Sequence, residues 1–269
     1  MGKYSLIAFL VVVLLGGSAS RGQSFHHASP PAPIPKRSQQ LSEPLQSGQG
    51  DSPVLIVGFM GGRDSWNDTR PGVGRMAKKL RAMDLPGVQV ATIENTKRRT
   101  ALELVRRALD RNRDGKLDTH ERESARLILY GQSFGGAAVV KFARELKRLG
   151  IPVMLTVQVD SVGRNDAVIP SNVAGAANFF QRDGFFIHGR APIRAEDPGK
   201  TEIIGNFEFS YRDRAISLSG VPWYKKAFRV AHTRMDHDPV VWNRVEELIL
   251  SALPQDRPSG GQAAHPLPF

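Results

Sequence analysis

Arg126-Leu-Ile-Leu-Tyr130 is a short apolar run, followed without a break by Gly131-Gln-Ser-Phe-Gly-Gly136 and a helical pattern from Ala137 to Leu149. Its length and its flanking glycines predict a buried strand. A strand that turns at once into a helix strains the residue at the bend. The positions two residues either side must then be small, as Gly131 and Gly135 are. Ser133, at the bend, is thereby predicted to be a presented nucleophile. The helix start behind it offers N–H groups and a positive dipole end to a developing oxyanion. The alternative is a glycine-rich turn that serves packing only.

Outward from this bend, strand and helix alternate. Val54 to Gly58, Val88 to Ile93, Arg126 to Tyr130 and Val153 to Val159 read as strands, and Ala227 to Ala231 as a late one. Helical spacing appears over Gly72 to Met83, Thr100 to Leu109, Ala137 to Leu149 and Pro239 to Leu253. Strands joined by crossover helices predict an α/β class, a three-layer α/β/α sandwich around a mainly parallel sheet. Ligands in such sheets bind beyond the carboxyl ends of the strands. Gly58 to Gly62, Ser133, Asp160 and His232 all follow a predicted strand and so fall on that edge.

The chain at this point resembles the α/β-hydrolase superfamily, in its esterase, lipase and thioesterase form, over roughly Val54 to Leu253. The resemblance rests on Gly131-Gln-Ser-Phe-Gly135, the strand–glycine loop ending at Gly62, a late histidine and the order Ser, Asp, His. It implies His232 as general base, Asp160 as the acid orienting it, and oxyanion N–H groups at Phe59 or Met60 and at Phe134. No histidine precedes the glycines of Gly58-Phe-Met-Gly-Gly62, unlike the family's common loop, so the donor there stays open between two residues. Among the seven histidines, His237 is the rival to His232, while Asp166 is the rival to Asp160. Asn172 to Gln181 and Gly184 to Tyr211 lie where the family inserts its lid or substrate-binding segment. Phe207, Phe209 and Tyr211 alternate as one strand face, which favours core packing for them.

Asp110-Arg-Asn112-Arg-Asp114-Gly115-Lys-Leu117-Asp118-Thr-His-Glu121 matches D-x-[DN]-x-[DN]-G-x5-E and resembles a single EF-hand loop. Calcium needs six to eight hard oxygen ligands. The spacing predicts side-chain ligands from Asp110, Asn112, Asp114, Asp118 and Glu121, and a carbonyl from Lys116. A lone hand with a short exit helix implies a structural Ca2+ clasp rather than an opening sensor. The alternative is a surface turn that closes without metal.

With 269 residues, no Cys and a formal charge of +11, the chain excludes a disulfide scaffold, a thiol nucleophile and a Cys-ligated zinc site. Lys3, the apolar run Leu6 to Leu15 and Gly17-Ser18-Ala19 predict a cleaved signal peptide over 1–19, and hence a secreted or periplasmic protein. Residues 20–51 and 255–269 are rich in Pro, Ser, Gln and Gly and predict a disordered tether and tail around a domain at 52–254. The positive charge favours weak association with polyanions or envelope material, but without an arginine-rich arm it predicts no specific nucleic-acid partner. The function expected is secreted hydrolysis of a small ester or thioester through an acyl-enzyme, with a structural calcium site. The competing expectation is a non-catalytic calcium-binding protein on a hydrolase scaffold.

Overall fold

The structure is a computed structural model that describes residues 53–184, 188–190, 192–221 and 230–254. The predicted signal peptide, tether and tail lie outside the described residues. No helix among the described residues is long and apolar enough to cross a membrane.

Six parallel strands form the central sheet. They are β1 (Val54–Met60), β2 (Val88–Glu94), β3 (Arg126–Gln132), β4 (Val153–Val159), β6 (Val173–Gln181) and β8 (Glu202–Phe209), in the order β2-β1-β3-β4-β6-β8. A separate two-stranded parallel piece pairs β5 (Val168–Ile169) with β7 (Arg194–Ala195). The central strands are apolar on both sides because helices cover both faces. Val54, Ile56, Met60, Ile128, Tyr130 and Phe179 pack against α1 (Gly72–Ala82) and the last helix, Pro239–Ser251. Leu55, Val57, Phe59, Leu127 and Leu129 face the opposite way, onto α2 (Arg98–Leu109) and α4 (Phe134–Arg148). Each such aliphatic side chain, fully buried, contributes about 1.5–3 kcal/mol. The α/β three-layer architecture expected from the sequence is therefore present.

Two parts of the expected layout change. Val230 and Ala231 do not end a strand: they open helix α5 (Val230–His237), while residues 222–229 lie outside the described residues. Ala231, His232 and Met235 are all buried, a spacing of i, i+1 and i+4 that shares one helical face, whereas a strand would turn Ala231 and His232 to opposite sides. Nor is Asn172 to Gln181 a lid, since Val173–Gln181 is a buried strand between β4 and β8. Phe179 packs inside the core and stacks on Phe207, with ring centroids 4.9 Å apart. Within the segment Gly184 to Tyr211, residues 185–187 and 191 lie outside the described residues.

Among the described residues between β4 and β8 there is no crossover helix, and a row of amides takes that place. Gln158, Asn178 and Asn206 stand side by side on three adjacent strands. Asn178 donates to the Arg190 carbonyl at 2.8 Å, Asn206 exchanges two bonds with the Ile193 main chain, and Gln158 donates to the Asp166 carbonyl. Loops that would otherwise leave buried main-chain groups unpaired are thus tied to the sheet.

Candidate active site

The bend after β3 carries Ser133 at φ 59° and ψ −125°, a conformation that L-residues adopt only under strain. The neighbouring chain explains why it is tolerated. A β-carbon at Gly135 would stand 2.0 Å from the Phe59 carbonyl oxygen, so only glycine lets α4 approach β1 this closely. Ser133 N–H donates to the Val159 carbonyl at 2.9 Å, which anchors the bend to the end of β4. Phe134 opens α4 with its ring half exposed. Its N–H is one of the first-turn donors that no helix can satisfy internally.

Asp160 follows β4 and also has a left-handed backbone, φ 43°. Its buried carboxylate turns toward α5, where Oδ2 stands 2.6 Å from His232 Nδ1 and accepts from Gln181 Nε2 at 2.9 Å. The carboxylate's other oxygen is buried and has no hydrogen-bond partner among the described residues. It lies against the chain at Gly189, where a β-carbon would come within 2.4 Å of it. His232 is 7% exposed and Ser133 6% exposed. Helix α5 is held from outside the pair as well. Arg234 donates to the Tyr211 carbonyl, and Tyr211 donates through its hydroxyl to Asp238, which Arg214 also grips. Burial, and then the nearby Asp238 charge, push the Tyr211 hydroxyl well above its usual range, so it remains a neutral donor.

The carboxylate at Nδ1 assigns the ring proton there, because an ionised carboxylate can only accept. Nε2 is then the basic nitrogen. Among the described residues it makes no hydrogen bond to Ser133: its partner is the Gln132 side-chain nitrogen at 3.2 Å. Ser133 Oγ makes no hydrogen bond among the described residues.

The remaining candidates sort by their contacts. Asp166 is buried but is occupied by the Ser161 hydroxyl, the Gly163 N–H and Arg190, and it braces its own loop. His237 bonds the Thr233 carbonyl of its own helix at 3.0 Å. His120 and His188 are exposed. Phe59 and Met60 are the last two residues of β1, in register with Ile93 and Glu94, and the glycine loop begins at Gly61. Asn95 holds the Met60 and Gly62 carbonyls at 3.0 and 2.7 Å and so orients that loop. Neither Asn95 nor Gln181 stands out in the sequence. A single amide beside a glycine loop, or at the end of an apolar strand, carries no pattern.

The acidic loop folds on itself. Asp110 accepts from the Gly115 N–H at 3.0 Å, and Glu121, 3% exposed, accepts from the N–H groups of Arg111 and Asp118. Asp118 caps the short helix α3 (Thr119–Glu123) through a capping box with Glu121. In kind, the donors suit a hard cation: Asp110, Asn112, Asp114, Asp118 and Glu121 supply side-chain oxygens around Gly115, with the Lys116 carbonyl between them. Among the described residues no three His, Asp or Glu side chains are gathered as a metal-binding group. Two cavities, about 460 and 400 Å3, flank α2. The first adjoins the acidic loop at Asp110, Gly115 and Lys116. The second lies beside Trp66 and Thr92. Neither is lined by Ser133, Asp160 or His232.

No family model and no curated protein matches this chain. Several solved structures resemble it distantly, two of them as follows. One is RedJ with a polyethylene glycol molecule bound in the active site, at 10% identity over 78% of this chain and 98% of that one, with a TM-score of 0.39. The other is an iodinated complex of acetyl xylan esterase, at 10% identity over 69% and 99%, with a TM-score of 0.28. The sheet itself has six parallel strands with helices on both faces, and the Ser133 bend stands at the carboxyl end of β3.

Proposed function

We propose that this chain is an exported serine hydrolase that cleaves a small ester or thioester through an acyl-enzyme. One observation carries the reading. His232 and Asp160, far apart in sequence, pair at 2.6 Å beside a serine held in a strained strand-to-helix bend.

In this mechanism Ser133 Oγ attacks the acyl carbonyl carbon while its proton passes to His232 Nε2. Asp160 keeps the ring in the required tautomer and stabilises the imidazolium that forms. The oxyanion is held by the Phe134 N–H and by N–H groups where β1 ends and the glycine loop begins. His232 then gives its proton to the departing alcohol or thiol. A water, deprotonated by the same nitrogen, cleaves the acyl–serine bond and restores the hydroxyl. The half-exposed Phe134 ring beside the serine suits an apolar acyl group. The test is labelling by a fluorophosphonate probe together with turnover of an activated ester. Wild type should label and turn over, whereas S133A should do neither. Wild-type protein that stays unlabelled would overturn the reading.

Calcium belongs to the same proposal as a structural ion, held by Asp110, Asn112, Asp114, Asp118 and Glu121 with the Lys116 carbonyl. When bound, it would neutralise the loop's acids and fix the connection from α2 into β3. Calcium at millimolar concentration should raise Tm relative to chelator, and E121Q should abolish the rise. Equal melting curves would remove calcium from the account. The positive charge supports a weak affinity for polyanions, one that modest salt should erase.

A second reading has a specific observation in its favour: the basic nitrogen of His232 contacts Gln132 rather than Ser133. On that reading the chain binds calcium on an inert hydrolase scaffold. Calcium-dependent melting together with unlabelled Ser133 would select it.

A further inference from the structure

Gln132, the last residue of β3, is almost wholly buried, and its amide bridges two parts of the candidate site. Its nitrogen stands 3.2 Å from His232 Nε2. Its oxygen faces the glycine loop, where a β-carbon at Gly61 would stand 2.6 Å from it. The proton on Nδ1, fixed by Asp160, leaves Nε2 with a single in-plane lone pair, and the Gln132 N–H donates into it. Ser133 needs the same lone pair to lose its proton. One acceptor site therefore has two claimants on adjacent residues, and in this conformation Gln132 holds it.

Resting on the serine-hydrolase reading, we infer that Gln132 is a positioning residue that holds His232 in its reactive tautomer yet withholds its basic nitrogen from Ser133. Attack then requires an exchange of partners at Nε2. The amide must let go before the serine hydroxyl can donate. A carbonyl entering beside Gly61 offers the released N–H a new acceptor, which couples the exchange to substrate arrival. The chemistry is a swap of hydrogen bonds, and no covalent bond changes in it.

A neutral hydrogen bond competing for the site should slow serine acylation by about two- to tenfold. Q132L keeps the bulk and removes the donor, so fluorophosphonate labelling of Ser133 should rise by about that factor. Q132E places an acceptor against the lone pair and favours a proton on Nε2, so labelling should fall by at least that factor. A purely structural role would slow both variants. A third measurement needs no variant: the 15N signal of His232 Nε2 in wild type at neutral pH should be that of an unprotonated, hydrogen-bonded nitrogen, and should move downfield in Q132L. A one-bond proton coupling at Nε2 in wild type, or Q132L labelling no faster than wild type while still folded, overturns the inference. Failure of the underlying reading looks different, because wild type itself would then not label.

Discussion

Ser133, Asp160 and Asn165 are among the few non-glycine residues with positive φ, and the first two stand at the candidate site. Strain at a single residue persists only where the surroundings over-determine it. Here they do, through the Ser133–Val159 and Asp160–Phe179 main-chain bonds and the close approach at Gly135. Asp160 also has the clearest single-residue consequence. D160N leaves the volume unchanged but can donate to Nδ1, which selects the wrong tautomer. Ester kcat should fall by about 10³–10⁴-fold with KM little changed. A kcat within tenfold of wild type would remove Asp160 from its orienting role.

At the scale of elements, the carboxyl ends of β6 and β8 are clasped by Asp183. Its carboxylate accepts from Ser210, the Tyr211 N–H and Arg212. Partial burial pushes this carboxyl up, but the three donors outweigh burial and hold it below its ordinary value. A carboxyl depressed in the folded state adds stability that is complete above the unfolded value of about 3.9 and is lost as pH falls through the folded value. D183N should therefore lower stability at neutral pH by on the order of 1 kcal/mol. The gap from wild type should close as pH is taken below about 4. A gap of constant size across acid and neutral melts would contradict this. The clasp bears on the site because Tyr211 links β8 to Asp238 and α5, the helix that carries His232.

Over the whole molecule, both hydrophobic clusters draw their residues from Val54 to Leu253. A chain spanning residues 53–254 should accordingly melt within a few degrees of the full chain and label at the same rate. Loss of cooperative unfolding in the shortened chain would show that the flanking segments stabilise the domain. Recovery of exported protein beginning at Ser20 would test the predicted signal peptide.

How far the sequence could be read follows from where the information sits. The Ser133 bend, four of the six central strands and the acidic loop are local: hydrophobic runs, glycine spacing and alternating oxygens specify them within a dozen residues. Of the late strand expected over Ala227 to Ala231, positions 227–229 lie outside the described residues, and the last two open a helix whose buried Ala231, His232 and Met235 share one face. Asn172 to Gln181 is placed as a lid or substrate-binding segment by its position in the resemblance alone, and the strand there is hidden because Asn178 and Gln181 interrupt an apolar run and find their partners on other loops. The chain alone determined the α/β class, the serine bend and the short set of histidines and aspartates that compete for it, since these follow from short-range sterics and chain order. Only the tertiary structure decided that Asp160, rather than Asp166, meets the His232 ring, and that Gln132 occupies the nitrogen Ser133 requires. Those contacts join residues many positions apart, and no local pattern encodes a distance between side chains brought together by the sheet.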